Sequence, residues 1–176
     1  MTTDLKATAA TGFAAVFAGL DLDNPDYDGL RKLIGSLVPF GTHSGVEITE
    51  LGRYHAVVEI PDEPYLANHL RTVHAGALFL AADIAGACAF VGAAAKGLSN
   101  VGSFVLRDSR ISFRKPALGR IRAVATMESR DIDAVLAATG PQRLDVDGRA
   151  LLYDAAGVLV GKVALDYVCT LVGEGA

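Results

Sequence analysis

Residues 75–95 form an apolar run of 21 residues in which only Asp83 carries a formal charge. A helix of this length is long enough to cross a membrane, since a span needs about 20 residues. A helix that is apolar on every face can also be the core of a folded domain, provided that protein wraps it on all sides. Three interpretations follow: a membrane span, a core helix with a tolerated acid, or a buried helix that carries a catalytic acid.

The composition of the run argues against membrane insertion. Ten of its residues are alanine, and only six are larger apolar residues. Those six contribute about −3 kcal/mol to insertion, whereas an aspartate near the centre costs about 2.5–3.5 kcal/mol. Because the two contributions cancel, we expect no membrane insertion and interpret the run as a buried core helix.

Length and charge narrow the class of protein further. A chain of 176 residues suits one domain with its own hydrophobic core, and 51% apolar with 20% charged residues is typical of globular proteins. A net charge of −4 argues against nucleic acid as a partner, since that binding needs a broad basic surface. The N-terminal residues lack the basic start of a signal peptide, so we expect a cytoplasmic protein.

Neither a metal nor a cofactor is expected. Cys88 and Cys169 lie in apolar runs, as buried reduced thiols do. The four histidines lack the spacing of a zinc site, and the chain has no glycine-rich phosphate loop.

The segments around the helix alternate between apolar and polar residues, which is the pattern of half-buried antiparallel strands. Shorter helical patterns cover residues 27–38 and 131–138. The predicted strands are 46–49, 54–60, 103–114, 121–127, 149–154 and 158–171, with a turn near 155–157 joining the last two.

The order of these elements predicts an α+β hotdog fold, in which an antiparallel sheet wraps around one long central helix. Residues 27–176 form the predicted hotdog domain, and residues 1–26 form an N-terminal arm or helix.

A specific motif lies at the start of the central helix. In NHLRTVHAGALFLAAD, Asn68 stands six residues before His74, and Asp83 stands nine residues after it. This stretch resembles the PaaI-type branch of the hotdog thioesterases, whose motif is an asparagine, then His-Gly-Gly, then an aspartate nine residues after the histidine. The resemblance extends over about residues 27–172, and it implies an acyl-CoA thioesterase with its active sites at a dimer interface.

The chain departs from the family pattern in three places. Ala75 replaces the first glycine after the histidine; it keeps the backbone N–H that the family offers to the thioester oxygen, but adds a methyl group. Leu106 stands at about the position where some relatives have serine or threonine. The insert at 131–142 is longer than the usual connection.

The motif residues suggest a division of roles. Asp83 is the predicted general base or nucleophile, and the N–H groups of Ala75 and Gly76 at the helix start form the predicted oxyanion hole. Eight residues separate Ala75 from Asp83, which is about 12 Å along a helix. Since both cannot touch one carbonyl, we expect two antiparallel helices of a homodimer to share each site. The sequence does not distinguish a dimer from a tetramer.

The remaining candidate site residues have supporting roles around these catalytic groups. Asn68 is predicted to hydrogen-bond the carboxylate or the attacking water, and His74 either orients the site or only begins the helix. Arg114 and Lys115, in a locally basic stretch, are the predicted contacts for the phosphates of coenzyme A; a solvated strand face is the alternative. A purely structural Asp83 also stays open.

The sequence thus predicts an acyl-CoA thioesterase. Two alternatives remain: a hotdog protein that binds acyl-CoA or an acyl carrier without hydrolysis, and a hotdog dehydratase or hydratase.

Overall fold

A computed structural model describes residues 12–172, which form one six-stranded sheet around a long helix. Every pair of neighbouring strands is antiparallel. The strands are β1 (Glu47–Leu51), β2 (Ala56–Ile60), β3 (Val101–Phe113), β4 (Ile121–Met127), β5 (Gln142–Asp154) and β6 (Leu159–Leu171), in the spatial order β1-β2-β4-β5-β6-β3.

Four α-helices accompany the sheet: α1 (Tyr27–Gly35), α2 (Pro39–His43), α3 (Ala75–Ala93) and α4 (Ser129–Ala137). Short 3-10 turns cover Phe13–Phe17, Pro64–Leu66 and Ala95–Asn100. The predicted hotdog architecture is confirmed, because α3 packs against all six strands of the sheet, most closely against β4 and β2.

Alternation along the strands explains which face of the sheet meets α3. On β6, Val163, Leu165 and Tyr167 are almost completely buried, whereas Lys162 and Ala164, which alternate with them, are exposed. Side chains two residues apart point to the same face of a strand, so one face of β6 packs on the helix and the other meets solvent.

The central helix is buried along most of its length. The helix α3 is long and apolar enough to span a membrane. However, 72% of its most apolar 18-residue stretch is buried inside the protein. Gly86 and Gly92 allow this close packing, because a Cβ atom would overlap the Tyr167 hydroxyl at the first position and the Gly52 carbonyl oxygen at the second. The apolar run is therefore a core helix.

Stacked aromatic rings fix the far half of α3 against the sheet. Phe90 of α3 stacks on Phe104 of β3 with ring centroids 3.7 Å apart, and Phe104 stacks on Tyr167 at 4.4 Å. Phe13 packs edge-on against this stack, and the neighbouring Phe17 is 2% exposed. Residues 13–17 thus contribute to the same hydrophobic core, and residues 1–11 of the predicted N-terminal arm lie outside the described part of the chain.

Several element boundaries differ from the prediction. The helix predicted over 27–38 ends at Gly35, and a second short helix, α2, starts at Pro39, whose fixed φ suits a first helical position. Strand β5 begins at 142 instead of 149, since Val146 is fully buried between charged neighbours that face solvent. Tyr54, predicted within β2, lies before the strand and is exposed.

Candidate active site

The start of α3 presents one free backbone donor. His74 is the N-cap residue, and its Nδ1 accepts a hydrogen bond of 2.9 Å from the Gly76 N–H. The Ala75 N–H makes no hydrogen bond to any residue in the range 12–172, and Ala75 is exposed. Of the two predicted oxyanion donors, the Ala75 N–H is therefore available, whereas that of Gly76 is already occupied by the histidine ring.

Asn68 organises the loop that leads into α3. Its Oδ1 accepts hydrogen bonds from the N–H groups of Leu70 (2.9 Å) and Thr72 (3.2 Å), and its Nδ2 donates to Thr72 Oγ1 (2.8 Å). The His74 N–H then donates to the Leu66 carbonyl at 2.7 Å. Within one chain Asn68 holds the loop in place and makes no hydrogen bond to Asp83.

A cavity of about 420 Å³ opens beside the start of α3, and we call it the helix-start cavity. Ala75 and Asn68 line it, together with the basic residues Arg114 and Lys115, which follow β3. Its full lining is Asn68, Thr72, Val73, Ala75, Leu78, Phe113, Arg114, Lys115, Pro116 and Ala117.

A second, larger cavity of about 690 Å³ lies along the side of α3, and we call it the Asp83 cavity. Asp83 is its one acidic residue, and most of the remaining lining is apolar or aromatic. The lining is Phe40, His43, Ser44, Tyr65, Leu66, His74, Gly76, Ala77, Phe79, Leu80 and Asp83.

The Asp83 carboxylate is half-buried and has no hydrogen-bond or ion-pair partner among the described residues; only its backbone carbonyl is used, by the Tyr167 hydroxyl at 3.3 Å. Burial raises the pKa of Asp83 above its ordinary value of 3.8. Burial, together with the nearby Asp83 charge, raises the pKa of the Cys88 thiol to about 12. A desolvated carboxylate in a cleft is a stronger base than an exposed one, which makes Asp83 a candidate for proton transfer.

The predicted site residues therefore divide between two cavities of one chain. Asn68, Ala75, Arg114 and Lys115 line the helix-start cavity, whereas His74, Gly76 and Asp83 line the Asp83 cavity. Within residues 12–172, neither cavity holds both the free Ala75 N–H and the carboxylate.

Several arginines of the basic stretch around β3 form ion pairs with acidic side chains, so only some of its positive charges are free. Arg107 binds Asp166 at 2.8 Å and Asp145 at 2.9 Å. Arg120 and Arg122 pair with glutamates of β2 and β1. Arg114 and Lys115 have no ion-pair partner in the described part of the chain, so their charge is available to an anion at the helix-start cavity.

The aromatic residues beside Asp83 could not be predicted from the sequence. Phe40 and His43 belong to α2, which was not predicted, and Tyr65 lies in the 3-10 turn Pro64–Leu66. Neither short element has an apolar period that marks it in the sequence. Among residues 12–172 no three histidine, cysteine or acidic side chains come together as a metal site.

Comparison with known proteins places the chain in a family. The model of the family described as "Domain of unknown function (DUF4442)" matches residues 29–168. The chain belongs to the DUF4442 family. No curated protein matches this DUF4442 chain.

Solved structures share the fold of this DUF4442 protein. PA5026 of Pseudomonas aeruginosa, a protein of unknown function called a probable thioesterase, is 22% identical with a TM-score of 0.64, over 82% of this chain and 95% of its own. A Shewanella oneidensis protein related to the thioesterase superfamily is 15% identical with a TM-score of 0.66, over 84% and 95%. AziG of S. sahachiroi is 22% identical with a TM-score of 0.59, over 77% and 99%. At these identities the likeness concerns the hotdog fold alone.

Proposed function

We propose that this DUF4442 protein is a PaaI-type acyl-CoA thioesterase, which hydrolyses a thioester to a free acid and coenzyme A. The observation that carries the proposal is the unpaired, half-buried carboxylate of Asp83, nine residues after the N-cap His74, in a cavity of about 690 Å³. An acid held in a desolvated position without a partner costs stability, and such a cost is typical of functional sites. The thioesterase-superfamily neighbours are consistent with it.

The chemistry needs a base and an oxyanion donor. Asp83 takes a proton from water while the water oxygen attacks the thioester carbonyl carbon. The oxygen of the tetrahedral intermediate accepts a hydrogen bond from the Ala75 N–H, at the positive end of the α3 dipole. Collapse breaks the C–S bond, and the thiolate leaves with the proton from Asp83. Direct attack by the carboxylate, through an anhydride that water then splits, gives the same products.

A homodimer supplies both groups to one carbonyl. Ala75 and Asp83 line different cavities, and along α3 they are about 12 Å apart. Two antiparallel copies of α3, related by a two-fold axis, bring the Ala75 N–H of one subunit to the Asp83 of the other. In this arrangement the free charges of Arg114 and Lys115 lie on the coenzyme A side, where arginine and lysine bind phosphates.

Binding without hydrolysis is the second candidate, and one observation favours it. The family's first glycine is Ala75 here, and its methyl group lies exposed at the mouth of the helix-start cavity. A methyl group at this point competes for space with the carbonyl oxygen. The dehydratase alternative lacks comparable support, because the His74 ring is engaged with the Gly76 N–H and is nine residues from Asp83.

A thiol-release assay over a panel of acyl-CoA esters tests the proposal. We expect Asp83→Asn and Asp83→Ala to lower kcat by about 10²–10⁴-fold, the usual contribution of a general acid or base. Cleavage that survives both substitutions contradicts the proposed role of Asp83. Tight acyl-CoA binding with no turnover by the wild type favours the binding protein instead.

A further inference from the structure

The position of the reacting carbonyl determines where the acyl group goes. If Asp83 activates the attacking water, the carbonyl carbon lies within a few ångströms of its carboxylate. The acyl group is bonded to that carbon, so its first atoms enter the space that Asp83 lines. The coenzyme A portion leaves on the opposite side of the scissile bond, toward the other cavity. This step rests on the proposed function.

The Asp83 cavity has the size and the surface of a site for an apolar group. Its volume of about 690 Å³ is within the range of about 300–1,000 Å³ that holds drug-sized ligands, and it far exceeds the needs of an acetyl group. Phe79 and Leu80 of α3 form one wall. Phe40 and Tyr65 form the rim and are 65% and 64% exposed, which is a high exposure for two large aromatic side chains in one cavity.

A close contact at a glycine accompanies each rim residue. A Cβ atom on Gly41 would lie 2.8 Å from Ile84 Cδ1, so α2 rests directly on α3 and carries Phe40 with it. The Tyr65 hydroxyl lies over Gly45, where an added Cβ atom would be 2.9 Å away. Because these elements are fixed against the core, the rim keeps its shape when the cavity is filled.

The charges in the cavity select against acidic acyl groups. Among residues 12–172, Asp83 is the one carboxylate in the lining, His43, His74 and the Tyr65 phenol are the other ionisable groups, and no arginine or lysine lines the cavity. A second carboxylate, as in a dicarboxylic acyl group, would lie near Asp83 with no fixed cation to balance it. Discrimination of this kind, through an unpaired charge, is stronger than discrimination by apolar contact alone.

We infer that the Asp83 cavity is the acyl site for neutral, apolar acyl groups larger than acetyl, and that Phe40 and Tyr65 are the residues that determine this specificity.

Steady-state kinetics on acetyl-, octanoyl- and succinyl-CoA test the inference. For the wild type we expect a higher kcat/KM for octanoyl-CoA than for either of the others. In Phe40→Ala and Tyr65→Ala, the ratio of kcat/KM for octanoyl-CoA to that for acetyl-CoA falls by about 10-fold or more, the usual effect of lost apolar contact in a pocket. Phe40→Leu, which keeps an apolar side chain, restores much of the ratio.

Tyr54→Ala is the matched control, because Tyr54 is 77% exposed and lies outside both cavities. We expect this variant to keep the wild-type ratio. Sedimentation of each variant shows whether it stays dimeric, as the shared site requires. An unchanged ratio in a dimeric variant overturns the inference, and so does loss of the dimer in both Phe40→Ala and Tyr65→Ala, because a second copy then occupies the rim. Equal cleavage of acetyl-, octanoyl- and succinyl-CoA also overturns it, while leaving the proposed thioesterase intact. Absence of cleavage with every ester contradicts both.

Discussion

Asp83 combines two properties that oppose each other. Its carboxylate is half-buried in an apolar stretch of helix, and no described side chain pairs with it. Burial disfavours the charged form, which raises the pKa of Asp83 above 3.8 and makes the ionised group costly to the folded state. A residue that lowers stability without a structural partner is expected where activity requires it.

This cost gives a prediction for Asp83→Asn. The raised pKa means that the folded state binds the proton more tightly than the unfolded chain, so the stability linked to Asp83 is complete below pH 3.8 and is lost as the pH rises through the folded-state pKa. Asparagine does not ionise, so the Asp83→Asn variant does not lose this stability as the pH rises. We expect a higher Tm than the wild type at pH 7, and a difference that shrinks as the pH falls from the folded-state pKa toward 3.8.

Thermal unfolding of the wild type and the variant over this pH range measures the effect. Asp133→Asn is the control, because Asp133 is exposed on α4, and its Tm is expected to follow the wild type. A lower Tm for Asp83→Asn at pH 7 would show that the carboxylate stabilises the fold, as a structural acid does.

At the scale of the element, glycines in α3 determine how closely the helix and the sheet approach. Gly92 lies against the backbone carbonyl of Gly52, in the connection between β1 and β2. A side chain that meets a flexible neighbour can be accommodated by a rotation, but a Cβ atom that meets a backbone oxygen requires the connection itself to move.

We therefore expect Gly92→Ala to destabilise the protein. Alanine gains about 1 kcal/mol in helix propensity, whereas overpacking costs typically about 1–3 kcal/mol and here acts against backbone. Because the contact is with backbone, we place the overpacking cost at about 2–3 kcal/mol, so the net loss in the free energy of unfolding, measured by urea denaturation, is expected to be about 1–2 kcal/mol. Gly140→Ala is the control, since a Cβ atom there has no neighbour within 4 Å. Equal stability of Gly92→Ala and the wild type would contradict the packing of α3.

The sequence predicted the elements whose burial has a regular period. The strands alternate apolar and polar residues, and α3 is apolar throughout, so both follow from the pattern alone. The helix α2 escaped prediction because five residues hold too little of a period, and Pro39 only marks where it starts. The first half of β5 escaped because charges surround Val146, whose burial depends on the neighbouring strands.

The candidate site shows the same limit. The lone charge in an apolar run, and the resemblance of the 68–83 motif to the PaaI-type thioesterases, indicated Asp83 and the start of α3. The sequence could not indicate that His74 occupies the Gly76 N–H, or that Phe40 and Tyr65 reach the Asp83 cavity from elements far apart in the chain. Those contacts depend on tertiary packing.

At the scale of the whole molecule, the proposed active site is one that two subunits share. One chain divides the candidate residues between two cavities, and Asp83 is on one side while the Ala75 N–H is on the other. The substitution Ala75→Pro removes the Ala75 N–H and is compatible with the fold. Ala75 is the first residue of α3, and His74 before it has φ −63° and ψ 140°. Proline is well tolerated at a first helical position, and the preceding residue already has the extended backbone that proline requires.

The most direct test mixes two inactive variants, Asp83→Asn and Ala75→Pro, as co-expressed subunits in equal amounts. Each alone is expected to lose about 10²-fold or more in kcat. If two subunits share each site, half of the dimers are mixed and each has one intact site, so acyl-CoA hydrolysis returns to about a quarter of the wild-type rate. A mixture no more active than the separate variants would place the complete site within one chain and contradict the account.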